Sequence, residues 1–333
     1  MITLESTAGL RISVLPFGAT WASCCVPMGD GSAREVLLGC PDDAAYRAHT
    51  TCLGATIGRF ANRLRDARLR IDDVDYTLDV NDGHHCLHGG PAGFGRRDWA
   101  IEELAASRVR FSIASPDGEG GFPGQMTAET IYSVAGDDLA VTVEFLAAVD
   151  RPCPVSLTNH AYFNLDGDGG DSRQHRLWLN SHRFLPIDAD GVPLGAVEDV
   201  RGSPFDFSHP TSLEQSPESH PQLRLNRGYN HAFLLDSSCR DLAQPAAELV
   251  SSDGRLALQM FTSLPALQLY GGNYLAGTPA RAGGTYADYA GIALEAEYLP
   301  DSPNHSEWPE ADCILRPGRV YRQRIRYQFV IRG

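Results

Sequence analysis

Apolar and polar residues alternate with a period of two along much of the chain, the spacing of a strand that buries one face. Leu139, Val141, Val143, Phe145 and Ala147 make one apolar face, with Thr142 and Glu144 between them. Near the C-terminus Tyr321, Gln323, Ile325, Tyr327, Phe329 and Ile331 share a side, and Arg322, Arg324 and Arg326 share the other. That segment predicts a strand with one wet, cationic surface, and the arginine row reads as a solvated sheet face, not a binding patch. Further strands are expected at 11–15, 35–39, 109–114, 126–133, 175–179, 256–262 and 267–270. Turn clusters separate them, among them Pro116-Asp117-Gly118, Gly136-Asp137-Asp138, Asp166-Gly167-Asp168-Gly169-Gly170 and Ser252-Asp253-Gly254. Helical spacing is short, as around 42–48. No internal repeat or linker interrupts the pattern, and the polar, proline-bearing stretch 208–222 reads as a surface excursion. One all-β, antiparallel domain over residues 1–333 is the expectation.

Composition narrows this picture. Apolar residues are 43% of the 333 positions, enough for a large core. Glycine (33) and proline (21) are too frequent for long helices. A formal charge of −14 argues against nucleic acid or an anionic membrane as partner, and leaves a neutral small molecule open. No apolar run approaches the roughly 18–20 residues of a membrane span, and the N-terminus alternates instead of forming a leader's apolar block, so a cytoplasmic location is expected. The eight cysteines are scattered without a CxxC pair and are expected to be reduced, mostly buried thiols.

Several segments gather polar, aromatic and glycine residues that a plain β core does not need. They are Gly58-Arg59-Phe60-Ala61-Asn62-Arg63, Leu87-His88-Gly89-Gly90, Thr158-Asn159-His160-Ala161-Tyr162-Phe163-Asn164-Leu165, Gly228-Tyr229-Asn230-His231, and the run from Leu294 through Glu295, Glu297, Pro300-Asp301 and Asn304 to His305. Each has a bland reading alone. His84, His85 and His88 suggest zinc only if helical, and the flanking Asp82-Gly83 and Gly89-Gly90-Pro91 make a helix improbable, so no metal is expected. His160 by itself reads as an interior histidine, and Glu295 as a partner for an arginine such as Arg63.

Together the segments resemble the aldose 1-epimerase, or galactose mutarotase, family over nearly the whole chain. Phe184-Leu185-Pro186-Ile187-Asp188, Pro204-Phe205-Asp206-Phe207, Gln268 to Asn273 and Leu315-Arg316-Pro317-Gly318 fall in the family's order as well. The resemblance implies a large twisted antiparallel β-sandwich, the galactose mutarotase-like supersandwich, with an open sugar cleft and no cofactor. It implies His160 as general acid, Glu295 as general base and His88 as a residue that assists near the ring oxygen or binds the sugar. Asn62, Arg63, Tyr162, Asn230 and Gln268 are implied as sugar contacts. The implied partner is an aldose sugar, and the chain is expected to be a monomer or homodimer. Two positions depart from the family pattern. Asn230 stands where an aspartate is usual, giving up a charge-assisted hydrogen bond, and His85 stands where asparagine is common.

The chemistry suits these residue types. Interconverting α and β anomers opens a cyclic hemiacetal and recloses it from the other face. A proton leaves the C1 hydroxyl and another reaches the ring oxygen, so a positioned acid and base suffice. Ordinary values of about 4.3 for glutamate and about 6.5 for histidine predict a window with Glu295 ionised and His160 protonated. Phe60, Tyr162, Phe163 and Trp99 are candidate surfaces for the sugar's C–H face, though most are expected in the core. Gly89 and Gly90 are expected to let the His88 loop lie close to the ring. The rival readings are a hexose-6-phosphate mutarotase, for which Arg63 is thin support, and a non-catalytic carbohydrate-binding protein of the same fold, which needs no acid and base.

Overall fold

The computed structural model describes residues 1–134, 136–309 and 312–332. Three antiparallel sheets carry the fold. A nine-stranded sheet runs in the order Ala100–Ala105, Arg108–Ser115, Met126–Val134, Ala140–Val149, Tyr321–Ile331, Leu256–Thr262, Ala247–Val250, Arg176–Leu179, Thr211–Ser212. A six-stranded sheet runs Tyr162–Phe163, Ile292–Glu297, Ala266–Tyr270, Asn230–Leu235, Ser181–Phe184, Glu198–Asp199. A four-stranded meander, Ile2–Glu5 to Ala33–Glu35, completes the set.

The alternating C-terminal segment is the eleven-residue strand Tyr321–Ile331. Tyr327 sits between Val141 and Met260 on its buried face. On the wet face Arg324 pairs with Glu144 at 2.9 Å and Arg326 with Asp138 at 3.0 Å, so the arginine row is a solvated, ion-paired surface. Trp21, Phe163 and Tyr327, one from each sheet, pack with ring centroids 5.2–5.9 Å apart and tie the three sheets into one core. That core runs from Leu4 to Phe329.

The strands expected near 11–15, 109–114, 126–133, 256–262 and 267–270 are present within a residue or two. The one expected at 35–39 ends instead at Glu35. Its carboxylate accepts the amides of Cys24 (2.7 Å) and Leu37 (3.1 Å), taking over part of the ladder, and only the isolated bridge Leu37 to Phe163 follows. Likewise the strand expected from His175 starts at Arg176, because the His175 amide turns back to the Ser172 carbonyl (3.1 Å), while its buried imidazole accepts the Leu165 amide at 2.8 Å. The stretch 208–222 is more than an excursion, since Thr211–Ser212 closes an edge of the large sheet. The helix Asp43–Ala48 is capped by the Asp42 side chain. Among the described residues no helix is long and apolar enough to cross a membrane, and all eight cysteines are free thiols, six of them buried.

Candidate active site

The six-stranded sheet positions the chemistry through its register. Leu267, Leu269, Leu294 and Ala296 belong to the main core. Period-two alternation therefore turns Gln268, Glu295 and Glu297 to the opposite face. Gln268 lies directly across from Glu295, and Asn230 across from Tyr270. His160 enters from a neighbouring segment pinned by Gly54 and Ala55. Its amide donates to the Ala55 carbonyl (2.9 Å) and its carbonyl accepts from Gly54 (2.8 Å). The imidazole stacks on Tyr162, 4.8 Å away at 21°, so the pair on one face is rigid. His160 Nε2 then stands 3.6 Å from Glu295 Oε1.

His88 is placed by a reciprocal clasp with Asn62. Its amide donates to the Asn62 carbonyl (3.0 Å), and its Nδ1 accepts the Asn62 amide (3.1 Å). Both residues hold left-handed backbone, φ 54° and 67°. An Nδ1 that accepts cannot carry the proton, so the neutral ring is protonated on Nε2 and offers a donor. The ring lies edge-on to His160, with centroids 5.4 Å apart.

These groups line one cavity of about 240 Å³. The eight residues implied as catalytic or sugar-contacting meet there: His88, His160 and Glu295, with Asn62, Arg63, Tyr162, Asn230 and Gln268. Asn226, Tyr270 and Tyr274 join the wall without having been foreseen. Tyr270 stands two after Gln268 on one strand, a spacing that could have found it. Asn226 and Tyr274 come from loops and carried no signal.

Other expectations fail locally. Phe60, Phe163 and Trp99 are core residues, leaving Tyr162 as the one aromatic of that group in the wall. Arg63 does not pair with Glu295, because its Nε donates to Asp82 at 2.7 Å. Arg59 is buried and structural, donating to Ser115 and to the carbonyls of Pro116, Pro123 and Gly124. Gly89, at φ +84°, makes its close approach to protein, since a Cβ there would lie 2.1 Å from the Gly58 carbonyl oxygen.

Burial governs the electrostatics. His160 is 5% and Glu295 2% exposed. Burial pushes the His160 imidazole down to about 4 and the Glu295 carboxyl up to about 8. The sequence-based expectation of an ionised glutamate beside an imidazolium is thus reversed, because burial favours the neutral forms. His88 is held well below the ordinary range by burial, then by His160 and Arg63. Glu297, fully buried, is raised well above the ordinary carboxylate range by burial and by Glu295. It accepts the Asn62 side-chain amide at 3.0 Å.

One ligand atom each from His88, His160 and Glu295 lies within 4.8 Å of the others, as do Asp66, His84 and His85. Neither donor set fits a cation. His88 Nδ1 and His85 Nδ1 each accept a backbone amide (3.1 and 3.0 Å), which leaves the second nitrogen of each neutral ring protonated.

The sequence pattern of the aldose 1-epimerase family matches residues 1–328. The chain belongs to the aldose 1-epimerase family. It is 43% identical to the aldose 1-epimerase of Escherichia coli (strain K12) over 330 residues, 99% of this chain and 95% of that protein. It is 33% identical to the galactose mutarotase of Rattus norvegicus over 324 residues, 97% and 92% of the two chains. The crystal structure of a GalM/aldose epimerase homologue from C. elegans superposes with a TM-score of 0.90 at 30% identity, covering 100% of this chain and 99% of the other. The galactose mutarotase-like fold follows from these likenesses and from the sheets described above.

Proposed function

We propose that this chain is an aldose 1-epimerase that interconverts the α and β anomers of free aldoses such as galactose and glucose by acid–base ring opening. The observation that carries the reading is the approach of His160 Nε2 to Glu295 Oε1, 3.6 Å, in a cavity whose wall is mostly hydrogen-bonding side chains. Family membership supports the same activity.

Between about pH 4 and about pH 8 the pair holds one proton in total. Burial by itself keeps it on the carboxyl. A sugar whose C1 hydroxyl donates to Glu295 stabilises the carboxylate, and the same proton then resides on His160 without exchange with solvent. Glu295 takes the C1 hydroxyl proton while His160 protonates the ring oxygen. After rotation about C1–C2 the roles reverse and either anomer closes. Among the described residues, His160 Nδ1 and Glu295 Oε2 have no protein partner. His88, protonated on Nε2, assists as a donor. Asn62, Arg63, Tyr162, Asn230 and Gln268 hold the sugar, which needs no cofactor or metal. The partner is a neutral small sugar, with nucleic acid and anionic membranes disfavoured by the charge of −14.

A hexose-6-phosphate substrate is less well served. Arg63 is the one arginine or lysine in the cavity wall among the described residues, and Asp82 already holds it. The deciding experiment is polarimetry of freshly dissolved α-D-galactose with the parent, His160→Ala and Glu295→Ala. Each variant should lose about 10²–10⁴ in turnover. Parent-like rates in either variant would overturn the assignment of that residue. A parent protein that binds galactose without speeding mutarotation would favour a binding protein.

A further inference from the structure

We infer that Asn226 is a sugar-binding residue and that Asn230 decides which hydrogen-bond polarity Asn226 offers the substrate. This rests on the mutarotase reading of the cavity and extends it to recognition.

Three side-chain amides form a chain along the wall. Gln268 Nε2 donates to Asn230 Oδ1 at 2.7 Å, and Asn230 Nδ2 donates to Asn226 Oδ1 at 3.2 Å. All three residues line the cavity. Gln268 is 4% and Asn226 9% exposed. The two ends of the chain, Gln268 Oε1 and Asn226 Nδ2, are buried and have no hydrogen-bond partner among the described residues. Buried amide atoms without partners are destabilising. Here both belong to residues of the wall that faces the proposed substrate, which supplies the missing partners.

The residue at the centre makes the two ends of the chain opposite in polarity, and the two observed bonds set its direction. An asparagine has one accepting and one donating end. With Oδ1 committed to Gln268, Asn230 must turn its NH₂ to Asn226, which in turn offers its oxygen to Asn230 and its own NH₂ to the cavity. The site therefore presents an acceptor at Gln268 and a donor at Asn226. An aspartate at 230 has no hydrogen to give. Asn226 would have to turn its NH₂ toward that carboxylate and its oxygen toward the sugar, so the cavity would present two acceptors. The backbone of Asn226 does not depend on this choice, because its carbonyl accepts from Asn273 Nδ2 at 2.7 Å.

Asn226→Asp separates the two roles of the side chain. One carboxylate oxygen still accepts from Asn230, while the cavity-facing donor is lost and a charged acceptor takes its place. Calorimetric Kd and polarimetric KM and kcat would be measured with D-galactose and its monodeoxy and monodeoxyfluoro analogues on the parent, Asn226→Asp, Asn226→Ala and Asn230→Asp. Asn226→Asp should raise Kd and KM for galactose about tenfold or more, through the lost donor and the added charge, with kcat within about threefold. One monodeoxy sugar, weakened on the parent, should bind Asn226→Ala as galactose does. Its fluoro counterpart, which can only accept, should bind the parent better than it binds Asn230→Asp. Galactose Kd unchanged in both Asn226 variants, or the same deoxy penalties in parent and Asn226→Ala, would overturn the inference. A parent that binds galactose but is inactive would sink the mutarotase reading alone, since Kd still reports on Asn226.

Discussion

His160 and Glu295 are ionisable groups whose environment, not their identity, decides where the proton sits. Burial draws their values toward about 4 and about 8, so the productive single-proton state spans neutral pH. The kcat/KM profile of the free enzyme should be bell-shaped, rising through about pH 4 and falling through about pH 8. A profile already falling at pH 6.5, where an unperturbed histidine titrates, would contradict this. Glu297 lies at one remove from the proposed sugar site, holding the Asn62 side chain whose backbone clasps His88. Glu297→Gln retains an oxygen for Asn62 and should keep kcat/KM within about threefold. Glu297→Ala removes that acceptor and should lower kcat/KM by about ten- to a hundredfold, the scale of small misplacements near a reacting centre. Steady-state polarimetry of the two variants, with rescue by Gln as the criterion, checks this.

Strands and loops set which residues could be read in advance. Tyr321–Ile331 was legible because one face is wet, whereas Thr20–Pro27, Asn230–Leu235 and Ile292–Glu297 went unread. Asn230–Leu235 and Ile292–Glu297 are buried almost throughout and Thr20–Pro27 has no exposed residue, so the contrast between its faces is weak and hydrophobic alternation is blurred. That blurred set includes the strands bearing Glu295 and Asn230, which were found by motif instead. The His88 loop depends on Gly89 at a point of backbone contact with Gly58. Gly89→Ala should lower Tm by several degrees and raise KM, because both φ and space forbid a Cβ there. Gly83→Ala, at φ +60° but with nothing within 4 Å, should cost only the backbone strain of about 1 kcal/mol. Thermal unfolding of the two variants side by side makes the comparison.

For the whole molecule, a cleft built from buried ionisable groups carries a pH-dependent cost. Glu295 is raised from 4.5 to about 8, so its contribution to stability is full below about pH 4.5 and is lost as pH rises toward 8. His160 is lowered from 6.5 to about 4, so its contribution is full above 6.5 and is lost as pH falls toward 4. The two slopes oppose each other between these windows. Stability should be flat from about pH 4.5 to 6.5 and fall on either side. Glu295→Gln should flatten the alkaline fall, raising Tm relative to the parent more at pH 8 than at pH 5. An equal Tm difference at both values would show that burial of this carboxyl does not control the limb.

The local sequence determined what needs only neighbours along the chain: the all-β character, the strands with one wet face, the turns, and the residue types able to exchange protons at an anomeric carbon. Resemblance to a family added their grouping. Tertiary structure alone decided that His160 and Glu295, 135 positions apart in sequence, come within 3.6 Å, and that burial reverses their resting protonation. It also decided that Arg63 serves Asp82 and that Asn226 completes the amide chain. Distance and desolvation are set by segments remote in sequence, and no period or motif encodes the water that packing removes.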